Sequence, residues 1–307
     1  MDFRGLAKPY PFNRPLTDAE RERRLLQKQR QEVDPAYQLS VIRMNSTFME
    51  LVDKYFAWKG FLTTVALGFC CMIGGFLLAM ALYSLTTPGR METDWPWLLL
   101  MFGMASPVFL LFFWVFKQDN FRFTHYPIRL NRKTRMVHVF RINGTVLSVP
   151  WDEVFFCIAP LPQGNWEIQG HVLDKDGVTV KETFCAFPEI AGSRYESEES
   201  LKRCWEFIRR YMENGPTSVI EQVKYCLPIA DHRESFVFGF HRMHFWIGAA
   251  PLLLQIPILL MYLAIYPGRW LAMRTCKIPI WPVEIKRVCP IEANDPYRRD
   301  ASTNEQL

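Results

Sequence analysis

The chain has 307 residues, of which 50% are hydrophobic and 15% aromatic, and its formal net charge is +5. The apolar surplus lies in three uncharged blocks, which argues against a protein that is water-soluble throughout. Residues 117–244 balance 17 basic against 16 acidic side chains, so the sequence predicts no nucleic-acid-binding surface.

Residues 1–60 are predicted to form an N-terminal cytoplasmic tail. Thr17 and Glu20 fit a capping box that opens a short charged helix. Between residues 41 and 58 the apolar side chains recur at intervals of three and four, which predicts an amphipathic helix with Lys54 and Lys59 near lipid headgroups. This helix either lies in the membrane interface or extends the first membrane helix.

Two uncharged blocks follow, at residues 61–85 and 95–116. Each is long enough to cross a hydrocarbon core of about 30 Å, so residues 61–116 are predicted to form a transmembrane helical hairpin. The first 60 residues contain eleven Lys or Arg, whereas the loop between the blocks contains only Arg90. This asymmetry places the tail and the following domain in the cytoplasm.

Residues 117–244 are predicted to form a soluble β domain of short alternating strands. Asn143-Gly144 and the stretch 174–177 lie between such strands and predict two hairpins. Neighbouring strands therefore pair in an antiparallel meander. An amphipathic helix at 196–212 would cap this meander, in a pleckstrin-homology-like arrangement. The predicted fold class is an α+β membrane protein.

The third hydrophobic segment, residues 245–270, contains Pro251, Gln255 and Pro257 and is predicted to be either a kinked span or a re-entrant segment. A true span would export the C-terminal tail, residues 271–307, to an oxidising compartment where Cys276 and Cys289 could form a disulfide. The basic residues of that tail argue against its export. The two signals conflict, and the sequence leaves both topologies open.

No motif for catalysis or cofactor binding is present, so we expect neither an enzyme nor a cofactor. His241 and His244 have helical spacing but lack further ligands, so no metal is expected. A basic strip in the first strands of the β domain is the candidate contact for a partner or for lipid: Arg129, Arg132, Lys133, Arg135 and Arg141.

Residues 131–141 and 149–156, together with 267–275 and 280–285, resemble an uncharacterised family of Gram-negative bacterial membrane proteins. The genes of that family often lie beside effectors of the type VI secretion system. The resemblance implies a non-enzymatic inner-membrane protein, with an accessory or immunity role, whose cytoplasmic domain binds a secreted effector or the secretion machinery. The alternative is a lipid-sensing or envelope-stress module that contacts membrane lipids. The oligomeric state is left open.

Overall fold

The computed structural model describes residues 9–160, 166–188, 197–240 and 252–304, which divide into two compact units. The sheet unit combines Met1–Trp58, Phe123–Glu234 and Ile278–Leu307. The helical unit combines Lys59–Arg122 and Ser235–Lys277. The two terminal segments, which the sequence suggested were separate tails, thus belong to the same unit as the predicted β domain.

The N-terminal part of the sheet unit contains strand β1 (Arg14–Pro15), helix α1 (Asp18–Glu22) and strand β2 (Arg24–Leu25). The predicted capping box is confirmed. The Thr17 hydroxyl accepts the Glu20 N–H at 3.3 Å, and the Glu20 carboxylate accepts the Thr17 N–H at 2.9 Å. The helix has only five residues, so most of the charged stretch after it is not helical.

The prediction of an amphipathic helix at residues 41–58 is wrong. The chain forms strands β3 (Val41–Met44) and β4 (Phe48–Leu51), followed by a single helical turn, α2 (Tyr55–Trp58). Nearly every residue of the two strands is buried, so both strand faces carry apolar side chains and the two-residue alternation is hidden. Pairing with a strand far along the chain, which no local pattern reveals, fixes the extended conformation.

The first sheet is completed by β5 (Ile128–Asn131), β6 (Met136–Phe140) and β7 (Val146–Pro150). Its strand order is β3-β4-β5-β6-β7, and each neighbouring pair is antiparallel. The hairpin predicted at Asn143-Gly144 is confirmed, because Arg141 N–H donates to Thr145 O at 2.8 Å and Gly144 has a φ of +84°.

The second sheet contains β8 (Phe155–Pro160), β9 (Trp166–Leu173) and β10 (Thr179–Pro188), and its order is β1-β10-β9-β8-β2. The second predicted hairpin is also confirmed, with Asp174 N–H donating to Thr179 O at 2.8 Å. The predicted antiparallel neighbours are therefore present, divided between two five-stranded sheets that also recruit strands from residues 14–51.

Helix α5 (Ser197–Asn214) confirms the predicted amphipathic helix. Its apolar side lies in the core of the sheet unit, where Trp205 stacks on Trp151 at a ring-centroid distance of 5.5 Å. Both tryptophans are fully buried, and Trp151 Nε1 donates to Glu213 Oε1 of the same helix at 2.8 Å. These contacts hold the helix against the core.

The helical unit contains helices α3 (Phe61–Thr86), α4 (Arg90–Asp119) and α6 (Leu252–Thr275). Within the described residues these three helices are long and apolar enough to cross a membrane. Helices α3 and α4 contact each other, for example through the stacked rings of Phe69 and Phe112 at 4.7 Å. Helix α6 covers most of the third hydrophobic block and is continuous through Pro257 and Pro267. Pro251, His241 and His244 lie outside the described residues.

The helices of this unit are joined at one end by polar contacts. Asp119, the last residue of α4, accepts the N–H groups of Gly60 at 2.7 Å and Thr63 at 3.2 Å, at the start of α3. Next to it, Asn120 Oδ1 accepts the hydroxyl of Thr275, the last residue of α6, at 2.7 Å. The beginning of α3 and the ends of α4 and α6 therefore lie together.

The C-terminal segment packs against the outer face of the first sheet. It contains helix α7 (Val283–Val288) and a β-bridge between Arg299 and Met44. Trp281 lies over the Arg129 guanidinium at 4.6 Å, and Asn131 Nδ2 donates to Val288 O at 2.6 Å. The segment therefore buries charged side chains that would otherwise face water.

Candidate functional site

A cavity of about 480 Å³ opens in the sheet unit. This volume falls within the range of small-molecule and cofactor sites, roughly 300–1,000 Å³. Its walls come from the N-terminal segment, the β4–α2 connection, the β6–β7 hairpin and β10. The lining side chains used below are Tyr10, Lys54, Tyr55, Tyr126, Phe140, Arg141, Leu147, Glu182 and Cys185.

Aromatic rings form much of the wall. Tyr126 meets Tyr55 edge to face at 6.2 Å and Phe123 at 6.0 Å, and Phe123 in turn meets Phe140 at 5.0 Å. These T-shaped pairs fix the ring orientations, so the wall is shaped without a ligand. A preformed apolar cavity with a few polar groups is the usual form of a binding site.

A buried ion pair lies beside the cavity. Lys54 Nζ donates to Glu167 Oε2 at 2.7 Å and to the Tyr10 hydroxyl at 3.0 Å. The Tyr10 hydroxyl and Gln169 Nε2 both donate to Glu167 Oε1, at 2.8 and 2.7 Å. The Glu167 side chain is fully buried, so these donors replace the water that its carboxylate would otherwise bind. The network therefore anchors the N-terminal segment to β9.

A second, partly exposed ion pair lies at the cavity wall. Arg141 Nε donates to Glu182 Oε1 at 2.7 Å, and the other carboxylate oxygen accepts from Arg141 Nη2. This bidentate contact links the β6–β7 hairpin to β10 across the two sheets. The β6–β7 hairpin and β10 are thus held at a fixed distance at this point of the wall.

Two titratable groups along the wall, the Cys185 thiol and the Tyr10 hydroxyl, are held in their neutral forms. Burial, together with the neighbouring Glu167 carboxylate, raises the pKa of the Cys185 thiol well above its usual value. Burial also raises the pKa of the Tyr10 hydroxyl, and Cys185 and Glu167 add to the shift. Neither group is activated as a nucleophile or a base near neutral pH. The arrangement is suited to binding.

A Cys–His contact near the cavity was not singled out from the sequence. Cys157 Sγ lies 3.3 Å from His171 Nε2, and His171 Nδ1 lies 2.8 Å from the Thr183 hydroxyl. Burial raises the pKa of the Cys157 thiol, as does the nearby Glu20 carboxylate, so the thiolate needed for nucleophilic attack is disfavoured. Glu20 lies 3.5 Å from His171 Nε2 and receives a bidentate contact from Arg14. The cluster fastens α1 to β1, β8 and β9 of the second sheet.

The predicted basic strip is not one continuous cationic surface. Arg129 is buried and contacts Glu50 at 3.1 Å. Arg135 pairs with Asp152 at 2.6 Å and with Glu213 at 2.7 Å.

The other three members of the strip are also engaged within the sheet unit. Lys133 pairs with Glu292 at 2.7 Å, and Arg141 pairs with Glu182 at the cavity wall. The Arg132 guanidinium packs over Gly215. The strand positions were predicted from sequence, but the acidic partners come from distant parts of the chain and were not predictable from spacing.

The disulfide considered between Cys276 and Cys289 is absent, and both side chains are thiols. Cys276 donates to Asp119 O at 3.2 Å within the helical unit. Cys289 lies in the sheet unit, where Asn131 Nδ2 approaches its sulfur at 3.3 Å. Each sulfur is therefore a packing and hydrogen-bonding group in a different unit. Among the residues that the structure describes, no cluster of His, Cys, Asp or Glu is suited to hold a metal ion.

Sequence reasoning missed the residues that build the cavity. Lys54 was expected near lipid headgroups, because residues 41–58 were interpreted as a helix. Tyr10 and Glu167 are 157 residues apart, and no local pattern connects them. The available signal was weak: Asp53 and Lys54 adjoin in a largely apolar run at residues 48–58, whose other charged residue is Glu50.

Comparison with known proteins gives a family but no function. A search of curated proteins and a search of solved structures found no match. A family model described as "Family of unknown function (DUF6708)" matches residues 105–292, which is more than half of the chain. That stretch includes the second half of α4, all of β5 to β10, helix α5, helix α6 and helix α7. The chain therefore belongs to this family of unknown function, DUF6708.

Proposed function

We propose that the protein is a non-enzymatic membrane protein whose helical unit lies in the lipid bilayer and whose sheet unit binds a protein partner. The observation that carries the proposal is the exposed apolar surface of α3, α4 and α6. Of the most hydrophobic stretch of each helix, only 11%, 6% and 17% is buried within the protein. An apolar surface of this extent is costly in water and normal in lipid.

The composition of the exposed side chains supports the same placement. Leu253 is 92% exposed, Leu110 is 70% exposed and Met104 is 69% exposed. The charged residues Lys59, Asp119 and Arg269 are instead buried at the end where the helices meet. Helices in a bilayer require that their charges lie at the helix ends and that the side chains along their flanks are apolar.

The cavity supports a binding role for the sheet unit. Its wall has preformed aromatic pairs, and the thiol and phenol along it are held neutral. A pleckstrin-homology-like arrangement, with two antiparallel sheets and the amphipathic helix α5, would suit an interaction domain. Because a fold does not fix a function, the cavity and not the fold carries this part of the proposal.

The partner that we propose is a type VI secretion effector or a component of its delivery machinery, which makes the protein an accessory or immunity component in the bacterial inner membrane. The positive-inside asymmetry around α3 supports a cytoplasmic sheet unit. The choice of partner is supported by the resemblance to a family whose genes often lie beside type VI secretion effectors.

Co-purification of the full-length protein from detergent extracts, with the products of adjacent genes expressed alongside it, tests the proposal. We expect the wild-type protein to retain one such product. We expect Leu147→Trp, which fills the cavity from β7, to lose it. The matched control is Lys175→Trp, which places the same ring on an exposed turn. If both variants retained the gene product equally, the cavity would not be part of the binding site. If the wild-type protein retained no such product and gave no protection from an adjacent toxin, the proposed role would be overturned.

The lipid-sensing alternative predicts a different result. The full-length protein reconstituted in neutral lipid would then recruit anionic vesicles in a salt-sensitive manner. The intramolecular pairing of Lys133, Arg135 and Arg141 leaves this alternative with less support than the protein-partner role.

A further inference from the structure

The sheet unit is assembled from three chain segments that are separated by hydrophobic helices. The first and second segments are joined by pairing of β4 with β5. The third segment joins both of them. Trp281 Nε1 donates to Glu50 Oε1 at 2.9 Å, and the Asn304 side chain exchanges hydrogen bonds with the backbone of Cys226 at 2.7 and 2.8 Å. One folded core cannot be divided by a bilayer, so the three segments occupy the same side.

This common side restricts how often the chain can cross the membrane. Helices α3 and α4 make two crossings and return the chain to the side from which it started. Residues 235–277 must also return the chain to that side, because residues 278–304 pack with the segments before them. A single crossing by the third hydrophobic block would place these residues on the opposite side. The block therefore crosses an even number of times or turns back within the bilayer.

The direction of α6 shows that this helix is the part of residues 235–277 that returns the chain to its starting side. Gly268 of α6 lies against Thr64 of α3 and against Gly60, the residue just before α3, so closely that a Cβ on Gly268 would come within 2.2 Å of the Thr64 hydroxyl. Thr64, which follows Gly60 along the chain, also donates to Ile265 O at 3.2 Å, and Ile265 precedes Gly268 along α6. A later position in α3 therefore contacts an earlier position in α6. The two helices are thus antiparallel, and α6 runs back toward the end where α3 begins.

The chain between Phe236 and Leu252 is long enough to reach the first residue of α6 from the side where that helix ends. Tyr266 of α6 contacts Phe236, with ring centroids 4.9 Å apart. At 1.5 Å per residue, Leu252 lies about 21 Å farther along the helix axis than Tyr266. The fifteen residues between Phe236 and Leu252 can cover this distance even at the short rise of a helix.

We propose that residues 235–277 enter and leave the membrane on one side, with α6 as the returning part, so that the whole sheet unit and both chain ends lie in a single compartment. The inference depends on the proposed embedding of the helical unit. It has a functional consequence. Among the described residues, the short connection between α3 and α4 then lies on the opposite side, whereas a partner of the sheet unit must act from the compartment that contains all three of its segments.

The test places one short split-fluorescent-protein tag at a time in the full-length chain. The three positions are the Asn143-Gly144 turn, residues 87–89 and the C-terminus, and the complementing fragment is expressed in the cytosol. Each tagged protein is first shown to remain in the membrane fraction. We expect the turn tag and the C-terminal tag to give the same result, and the tag at residues 87–89 to give the opposite result.

The two ways to fail are distinguishable. Opposite results for the turn tag and the C-terminal tag would overturn the inference and restore a single crossing by the third block. Identical results for all three tags would show that α3 and α4 do not cross, which would overturn the membrane embedding itself.

Discussion

The sheet unit and the helical unit both bury charged side chains, but they place them differently. In the sheet unit, Glu50 and Arg129 lie under the C-terminal segment, and Lys54 and Glu167 lie beside the cavity. In the helical unit the buried charges lie at one end of the helices. The proposed placement explains the difference: a sheet unit in water can join its segments with internal ion pairs, whereas helices placed in lipid need uncharged flanks.

The largest expected effect comes from the buried charge in the sheet unit. Glu50 accepts from Arg43 at 2.7 Å, from Arg129 at 3.1 Å and from Trp281 at 2.9 Å. Glu50→Gln keeps the shape but removes the counter-charge of the buried Arg129 guanidinium and the nearer of the two carboxylates beside Arg43, which should lower the free energy of unfolding by about 3–5 kcal/mol. Thermal unfolding of the detergent-purified protein measures this change.

The control for this variant is an exposed ion pair. Glu292→Gln removes the partner of Lys133, whose side chain is about half exposed, and should change the free energy of unfolding by less than about 1 kcal/mol. If both variants unfold at the wild-type temperature, the buried cluster does not stabilise the sheet unit.

The next effect concerns packing in the helical unit. A methyl group on Gly268 would lie 2.2 Å from the Thr64 hydroxyl and 2.7 Å from Gly60 O, so Gly268→Ala must separate α3 from α6. We expect a loss of about 1–3 kcal/mol, seen as faster labelling of the buried Cys276 thiol in detergent. Gly103→Ala is the matched control, because its added methyl group meets nothing within 4 Å. Equal labelling of the two variants would contradict the close approach of the helices.

A smaller effect depends on pH. Burial, with a contribution from the Arg129 charge, lowers the pKa of His138 to about 4. Below the ordinary histidine pKa of about 6.5, the unfolded chain binds a proton that the folded chain does not, so stability falls as pH decreases from 6.5 toward 4. The loss between pH 6.5 and 5 should be about 2 kcal/mol.

Unfolding curves at these two pH values, with His138→Gln and the exposed His232→Gln compared, assign the effect. The first variant should lose the pH dependence and the second should keep it. Retention of the full dependence in His138→Gln would show that other groups cause it.

The sequence predicted those parts of the fold whose determinants are local. Uninterrupted apolar length identified α3 and α4, and Asn143-Gly144 marked a hairpin through the backbone conformation that glycine allows. The strands at residues 41–51 were missed because their two faces are covered by different partners, the core on one side and the C-terminal segment on the other. For the same reason, Lys54 could not be linked to Glu167 before the sheets were known.

The account depends most on the placement of the three apolar helices in lipid. The direct measurement is the distribution of the full-length protein after cell lysis, alkaline carbonate washing and high-speed centrifugation without detergent. We predict that all of the chain sediments with the membranes and is released only by detergent. Recovery of folded protein in the supernatant would contradict the account.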